Sequence, residues 1–327
     1  MNKIINNFSP KLPHKIINCN NKVASAFLTV FRLIFLLAVG FVIMYPLFYM
    51  LVTSFQGRDA FINSARVWIP TDYNIKNNYT VALVCLDYGT ALLSTLKNEV
   101  LSAAIEVCTC AFAAYGLARF NFKEKKLLMA VLFMTILVPD MLLMIPRVIN
   151  FSKLDFLGIL GLIDKLTGVD LRVNILNSGW SFWLPSLFGV GLRSGILIYI
   201  YIQFFKSLPK ELEEAAWVDG AGPFRTFLSI AIPSSGVVIL TVTVFSLVWH
   251  WNDTYLSGMF IREGSTLATE LANLSTTLSL KYGLGADVQN NAYLMAGCVL
   301  FVTPMLIVYM ILQRWFIESI DRVGITG

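Results

Sequence analysis

The chain has 327 residues, of which 57% are hydrophobic and only 14% are charged, and it carries a formal net charge of +5. Soluble domains are about 45–50% apolar and about 25% charged, so this composition excludes an ordinary soluble protein and indicates a polytopic membrane protein. The modest positive charge is typical of Lys and Arg at cytoplasmic membrane edges and does not indicate nucleic-acid binding. The five cysteines form no CxxC pair and no metal-ligand spacing with His, so no metal site is predicted.

Six apolar runs, each long enough to cross about 30 Å of hydrocarbon, follow a polar N-terminal segment. Pro139 and Asp140 interrupt the third run. An even number of spans puts both termini on one side of the membrane. The short loop 119–126 has four basic residues and one acidic residue, which predicts that this side is cytoplasmic. The predicted spans are residues 33–53, 97–118, 127–145, 182–205, 236–260 and 292–312.

The loops divide the chain further. The outer loop 146–181 contains a stretch, 154–166, that is amphipathic enough to lie on the membrane surface. In the fourth predicted span, Gly191 and Gly195 have a spacing typical of closely packed membrane helices. The predicted segments are a cytoplasmic N-terminal tail (1–25), a first span with an extracytoplasmic loop (26–92), a core with five spans and the loop 206–233 (93–317), and a cytoplasmic C-terminal tail (318–327).

Loop 206–233 lies between two predicted spans but does not have the composition of an ordinary loop. Pro209 suits the first turn of a helix, where its missing N–H costs nothing. Glutamates at positions 211, 213 and 214 follow, and acidic residues favour the positive end of a helix. Gly220 can end this helix in a left-handed conformation, and Pro223 favours the start of a second helix. The sequence therefore predicts a helix–turn–helix in this loop.

The same loop resembles the EAA loop of importer-type ABC permeases, whose pattern is E-A-A-x3-G-x9-I-x-L-P. Only Ile232 departs from that pattern, since the family usually has Leu there. The resemblance implies that the loop is a coupling helix, which docks into a cleft of a cytoplasmic ATPase subunit. An interfacial helix–turn–helix without a docking role is the alternative. The residues implicated in ATPase coupling are Glu214, Ala215, Ala216, Asp219, Gly220, Ile230 and Pro233.

A narrower resemblance covers roughly residues 93–327. The run 204–221, the pair Trp251-Asn252 and the C-terminal segment 313–327 are similar to the maltose-type sugar permeases, in particular to the MalG-like member of the permease pair. The 146–181 loop is longer than usual and the tail ESIDRVGITG departs from the expected ending. The resemblance implies an all-α, six-span type I importer fold, a MalF-like second permease subunit, two ATP-binding subunits, an extracytoplasmic solute-binding protein and a sugar or oligosaccharide as solute.

Catalytic signatures are missing from the sequence. It contains no GxxxxGK[ST] phosphate-binding loop, no G-x-S-x-G nucleophile elbow and no zinc signature. We therefore expect a transport subunit that is not an enzyme and binds no cofactor of its own, with ATP hydrolysed by partner subunits.

Polar and aromatic residues inside the predicted spans are the candidates for a translocation path. Glu106 lies thirteen residues before Arg119, or about 20 Å of helix, which places its carboxyl near the middle of the membrane. The alternative for Glu106 is a hydrogen-bonded glutamate at a subunit interface, and the alternative for the tryptophans is anchoring at the membrane surface. The candidates are Glu106, Trp249, His250, Trp251 and Asn252.

Three other functions stay open from the sequence. An ABC permease for a peptide, polyamine or phosphonate would carry a similar EAA loop. A secondary transporter would need an ion-coupling site and often has inverted repeats, which the sequence does not show. A membrane enzyme would need a catalytic constellation, and none is apparent.

Overall fold

The computed structural model describes residues 14–57, 72–155, 158–283 and 289–324, which form helices joined by turns. Strand pairing within these residues is limited to two isolated bridges, Gln56 with Tyr73 and Leu154 with Val173, so the predicted all-α class is confirmed. The helices are α1 (His14–Phe55), α2 (Ile75–Cys85), α3 (Tyr88–Arg119), α4 (Lys125–Leu137), α5 (Asp140–Ser152), α6 (Ile159–Thr167), α7 (Trp180–Leu187), α8 (Ser194–Ser207), α9 (Lys210–Val218), α10 (Pro223–Ser234), α11 (Gly236–Trp251), α12 (Tyr255–Phe260), α13 (Leu267–Tyr282) and α14 (Gln289–Gly324).

Three helices are long and apolar enough to cross a membrane: Phe27–Phe55 within α1, the whole of α3, and Asn291–Trp315 within α14. Two bent pairs qualify only if each counts as one span. These are α4 with α5, bent by 101° at the Pro139–Asp140 interruption, and α10 with α11, bent by 82°. By length and composition, the described residues therefore hold three to five spans, and the count of six stays a prediction.

The predicted fourth span, 182–205, is wrong as a continuous helix. Helix α7 ends at Leu187 and α8 begins at Ser194. Between them, Gly189 (φ +68°) and Arg193 (φ +59°) adopt left-handed backbone conformations, which a right-handed helix cannot contain. The 14 residues of α8 span about 21 Å, which is less than the hydrocarbon thickness.

Other helices extend beyond their predicted bounds. The second span starts at Tyr88 and not at position 97, and its residues 96–100 form a π-helical stretch. The segments predicted as loops contain α2 and α13. Leu86, next to α2, packs against Leu274 and Leu278 of α13 in a buried cluster, which hydropathy alone does not reveal. Helix α1 includes residues 14–25 of the predicted N-terminal tail, and α14 continues to position 324, into the predicted C-terminal tail. Positions 1–13 and 58–71 lie outside the described residues.

Helix α3 is the centre of the bundle and packs against α7, α8 and α11. Its buried face carries small side chains, including Ala103, Cys110 and Ala114, which let neighbouring helices approach closely. Gly195 at the start of α8 extends this packing to α4, because a Cβ there would lie 2.6 Å from the Thr135 hydroxyl oxygen. The close packing predicted from the two glycines is therefore present at Gly195.

Candidate functional site

The EAA loop, residues 206–233, folds as two short helices, α9 and α10. Helix α9 begins directly after Pro209, and α10 begins at Pro223. Gly220 has φ +81° and ends α9: its N–H donates to the Trp217 carbonyl at 3.0 Å, and the Ala221 N–H donates to the Ala216 carbonyl at 2.9 Å. This pair of bonds is a Schellman motif, so the predicted left-handed cap is confirmed.

One face of α9 is attached to the helical bundle. Glu213 is buried, and its Oε1 lies 2.8 Å from Arg119 Nε at the end of α3, with each side chain only 5% exposed. Arg119 Nη2 also donates to the Leu208 carbonyl at 2.9 Å. This ion pair was not predicted from the sequence. The available signal was a lone Arg that ends an apolar span and a Glu-rich helix next to the same membrane face.

The other face of α9 is open to solvent. Glu214, Ala215, Asp219 and Gly220 are exposed, and Ala216 is half-buried. Large apolar side chains accompany them on the surface of α9 and α10, and exposed apolar patches are typical of interaction sites. Of the remaining predicted coupling residues, Ile230 is half-buried and Pro233 is exposed. The exposed apolar side chains are Leu212, Trp217, Val218 and Phe224.

A polar cluster lies inside the bundle around Glu106, whose side chain is fully buried. Glu106 accepts hydrogen bonds from Ser194 and from Ser246, the latter at 3.0 Å. His250 lies between two carboxylates: its Nε2 is 3.1 Å from Glu106 Oε2, and its Nδ1 is 2.9 Å from Glu99 Oε2. The cluster therefore joins α3, α8 and α11 through buried hydrogen bonds.

Glu99 completes the cluster and was not identified from the sequence. Its Oε1 accepts a hydrogen bond from Ser257 of α12 at 2.7 Å. Glu99 and Glu106 are seven residues, or about two helical turns, apart, so both carboxylates lie on the same face of α3. Two acidic residues seven positions apart in and beside an apolar run were the sequence signal for a buried polar cluster. Glu106 faces protein and is fully buried within this chain, so the structure does not place it at a subunit interface, and its role in translocation stays a prediction.

The side chains of residues 249–252 face different parts of the structure. His250 belongs to the polar cluster. Trp251 is buried against α14, where its Nε1 donates to the Phe301 carbonyl at 3.2 Å. Asn252 is exposed, and Trp249 is half-buried. Both line a cavity of about 600 Å³. The structure therefore does not bring the five path candidates together in one site.

Arg193 lies beside Trp249 in this cavity. Its guanidinium carbon is 5.0 Å from the centroid of the Trp249 ring, a cation–π contact. Arg193 was not predicted as a site residue, because it falls inside the predicted span 182–205. A charged residue in an apolar run was the signal that this span is broken.

Comparison with known proteins identifies the class. Residues 108–322 match the family described as binding-protein-dependent transport system inner membrane component, and the chain belongs to that family. The fold is similar to that of a chain in the crystal structure of a bacterial ABC transporter involved in the import of the acidic polysaccharide alginate. The TM-score is 0.65 at 17% sequence identity, and the match covers 90% of this chain and 98% of that chain.

Several relatives are named as permease proteins of transport systems. The chain is 25% identical over 269 residues to the sn-glycerol-3-phosphate transport system permease protein UgpE of Yersinia pestis bv. Antiqua, covering 82% of each protein. It is 26% identical to the probable starch degradation products transport system permease protein AmyC of Thermoanaerobacterium thermosulfurigenes, covering 84% of this chain and 89% of AmyC. It is 28% identical to the alpha-glucoside transport system permease protein AglG of Rhizobium meliloti, covering 77% of this chain and 60% of AglG.

Proposed function

We propose that this chain forms half of the transmembrane pathway of an ATP-driven importer for a sugar or oligosaccharide. In this assembly it pairs with a MalF-like second permease subunit, binds two ATP-binding subunits on the cytoplasmic side, and receives solute from an extracytoplasmic solute-binding protein. Membership of the family supports the transporter class. The relatives named for starch degradation products and alpha-glucosides support the solute class.

The geometry of α9 is the observation that carries the proposal. The buried Glu213–Arg119 pair fixes one face of this short helix to α3, while the opposite face exposes apolar side chains and Glu214. A helix that is attached on one face and exposed on the other can bind a partner subunit and transmit its movement to the bundle. We infer that the docked subunit is the ATPase and that the EAA loop and both termini are cytoplasmic.

The chain itself, under this proposal, binds no nucleotide and hydrolyses no ATP. The sequence supports this because it lacks a phosphate-binding loop. Purified alone in liposomes, the chain is expected to show neither ATP hydrolysis nor solute uptake driven by an ion gradient. Uptake driven by a gradient in this preparation would instead support a secondary transporter.

A non-sugar solute is the second candidate. The observation that favours it is the relative named for sn-glycerol-3-phosphate, an organic phosphate. Uptake by the assembled transporter separates the two candidates: a sugar importer takes up an α-glucoside or maltotriose in preference to sn-glycerol 3-phosphate, and the reverse preference supports the phosphate solute.

Charge reversal at Glu214 tests the docking role. In Glu214→Lys, an exposed acidic group that faces the expected partner becomes basic, and charge repulsion at an interface is worse than simple deletion. The chain is co-expressed with its permease partner and ATP-binding subunits, and the complex is purified through a tag on this chain. We expect the ATP-binding subunits to be lost or their stimulated ATP hydrolysis to fall by about tenfold or more.

The matched control for this experiment is Glu263→Lys, which makes the same charge change at an exposed position outside the EAA loop. The control should retain the ATP-binding subunits and normal stimulation. If Glu214→Lys also retains both, α9 is not the docking helix and the proposal loses its principal support.

A further inference from the structure

We propose that the cavity beside Trp249, here called the outer cavity, is a binding site for a neutral sugar within this subunit. Arg193, Asp140 and Asn252 are its polar contacts. The proposal rests on the proposed function, because it assigns a site to the solute of that importer. The outer cavity has a volume of about 600 Å³, which is within the range of about 300–1,000 Å³ found for small-molecule sites.

With the EAA loop at the cytoplasmic face, as proposed above, helix lengths place the outer cavity at membrane depth, on the half away from that loop. Helix α11 begins at Gly236, next to that loop, and Trp249 follows thirteen residues or about 20 Å later. Arg193 precedes α8, whose 14 residues lead back to Ser207 beside the same loop. Both helices therefore place the cavity about two-thirds of the way across the roughly 30 Å of hydrocarbon. A solute that arrives from outside the cell meets this half first.

Arg193 is the unusual residue of the cavity. It adopts a left-handed backbone conformation, its guanidinium group lies over the Trp249 ring, and it makes no ion pair with any described residue. A charged side chain at membrane depth is costly, so such a residue is by default a hypothesis for a functional site. The cation–π contact positions the guanidinium but leaves its N–H donors free for hydroxyl oxygens.

The charges around the cavity favour a neutral solute over an anion. Besides Arg193, the wall carries the carboxylates of Asp140 and Asp253. Asp253 is only 8% exposed and accepts a hydrogen bond from the Ser257 N–H at 2.9 Å, so Asp140 is the more accessible of the two. An anionic solute would meet two carboxylates and one guanidinium. Sugar hydroxyls can donate to the carboxylates and accept from Arg193, and Asn252 can do both.

A second cavity, here called the inner cavity, adjoins the outer cavity. It also has a volume of about 600 Å³ and reaches Phe120 and Phe122, which belong to the predicted cytoplasmic loop 119–126. The two cavities share four lining residues, Thr135, Asp140, Arg193 and Gly195. Arg193 therefore stands where the outer cavity adjoins a space that extends toward the cytoplasmic side.

The first test measures uptake and ATP hydrolysis together in proteoliposomes that contain the complete transporter and saturating solute-binding protein. Arg193→Asn removes the guanidinium but keeps a side chain that tolerates the left-handed backbone. With methyl α-D-glucoside and maltotriose as neutral probes, we expect uptake per ATP hydrolysed to fall by about tenfold or more, while stimulated ATP hydrolysis stays close to the wild-type rate. Arg262→Asn, at an exposed position outside both cavities, should leave the ratio unchanged.

Several outcomes overturn the proposal. An unchanged ratio in Arg193→Asn shows that solute does not depend on this site, and a parallel loss of uptake and ATP hydrolysis shows a purely structural role. Failure of the proposed function is recognised separately, because the wild-type assembly would then show no ATP hydrolysis stimulated by the solute-binding protein.

The second test needs no turnover. Asn252→Cys is placed in a background whose five native cysteines are replaced by Ser, and alkylation of the new thiol is timed in the assembled transporter. Saturating maltotriose is expected to slow alkylation by about tenfold, because the sugar excludes the reagent. Protection by sn-glycerol 3-phosphate alone overturns the assignment to neutral sugars, and protection by neither probe overturns the site.

Discussion

Helix α3 carries two sets of buried ionisable side chains, and each set connects the helix to a different part of the molecule. Glu99 and Glu106 lie in the middle of the bundle, where their partners belong to α8, α11 and α12. Arg119 lies at the end of the same helix, where its partner Glu213 belongs to the EAA loop. The first group holds bundle helices to one another. The second holds in place a helix whose other face is free, so it fixes the position of a docking surface.

This difference shows how a membrane subunit uses buried charge. A buried ion pair adds little net stability compared with apolar packing, but the removal of one partner leaves an unpaired buried charge at a cost of about 3–5 kcal/mol. Both groups therefore specify which helices lie together more than they stabilise the fold. The consequences of breaking them should differ in kind, and the following substitutions test that.

The largest effect is expected for His250→Leu. The substitution leaves the carboxylates of Glu99 and Glu106 facing one another without the ring that bridges them. We expect the free energy of unfolding to fall by about 3–5 kcal/mol, measured by denaturant unfolding in detergent micelles. Glu106→Gln keeps a polar group that can accept from Ser246 and should cost less. If His250→Leu is within about 1 kcal/mol of the wild type, the cluster does not hold the bundle together.

A smaller loss of stability, but a larger loss of coupling, is expected for Arg119→Leu. This change frees α9 from α3 and leaves Glu213 unpaired at the bundle edge, where the freed helix can turn it toward water, so we expect a cost at the lower end of the range for an unpaired buried charge, about 3 kcal/mol. Co-purification of the ATP-binding subunits and stimulated ATP hydrolysis should both decrease. The double exchange Arg119→Glu with Glu213→Arg restores the pair and should recover part of both. Normal stimulation in Arg119→Leu would show that the attachment of α9 is dispensable.

Gly220→Val tests the end of α9 without touching either charged group. Gly220 has φ +81°, so a β-branched side chain strains the cap by about 1–3 kcal/mol. Gly222→Val is the matched control, because Gly222 has φ −73° and a Cβ at either glycine meets no atom within 4 Å. We expect the ATPase to be uncoupled in Gly220→Val only. Equal coupling in the two variants would show that the left-handed cap is not required.

The smallest effect is expected for the exposed pair Asp170–Arg172. The hydrogen bond from Arg172 lowers the pKa of Asp170 to about 2, so any stabilisation is complete above the ordinary carboxyl pKa and is lost only as the pH falls through about 2. Solvent screens this exposed pair, and exposed ion pairs contribute little to stability. Asp170→Asn should therefore leave stability and uptake unchanged between pH 5 and pH 8. A measurable loss in Asp170→Asn would mean that loop 146–181 contacts a partner.

The sequence predicted the EAA loop well because its signals are local. Pro209, Gly220 and Pro223 restrict their own backbone, so each marks a helix end wherever the rest of the chain lies. The broken fourth span was missed because residues 182–205 are apolar on both sides of the break, and hydropathy does not distinguish one helix from two. The local signs of that break were Arg193 and the nearby glycines, such as Gly189.

The partners of the buried charges could not be predicted from local signals. Arg119 and Glu213 belong to different parts of the sequence, and so do Glu106, Ser194 and His250; only tertiary packing brings them together. For the same reason, hydropathy treated α2 and α13 as loops, although Leu86 and Leu274 bury each other. Four of the path candidates, residues 249–252, are consecutive in sequence, but successive positions on a helix point about 100° apart.

The continuity of α3 has a mechanical consequence. Glu106 and Arg119 lie on one uninterrupted stretch of helix, about 20 Å apart, and rigid secondary structure is a means by which displacement reaches a distant site. A tilt of α9 would therefore be transmitted along α3 to the centre of the bundle, because α3 is held by Arg119 at one end and by Glu106 in the middle. By contrast, the helices around it are broken at 138–139, which borders the outer cavity, and at 188–193, which borders both cavities.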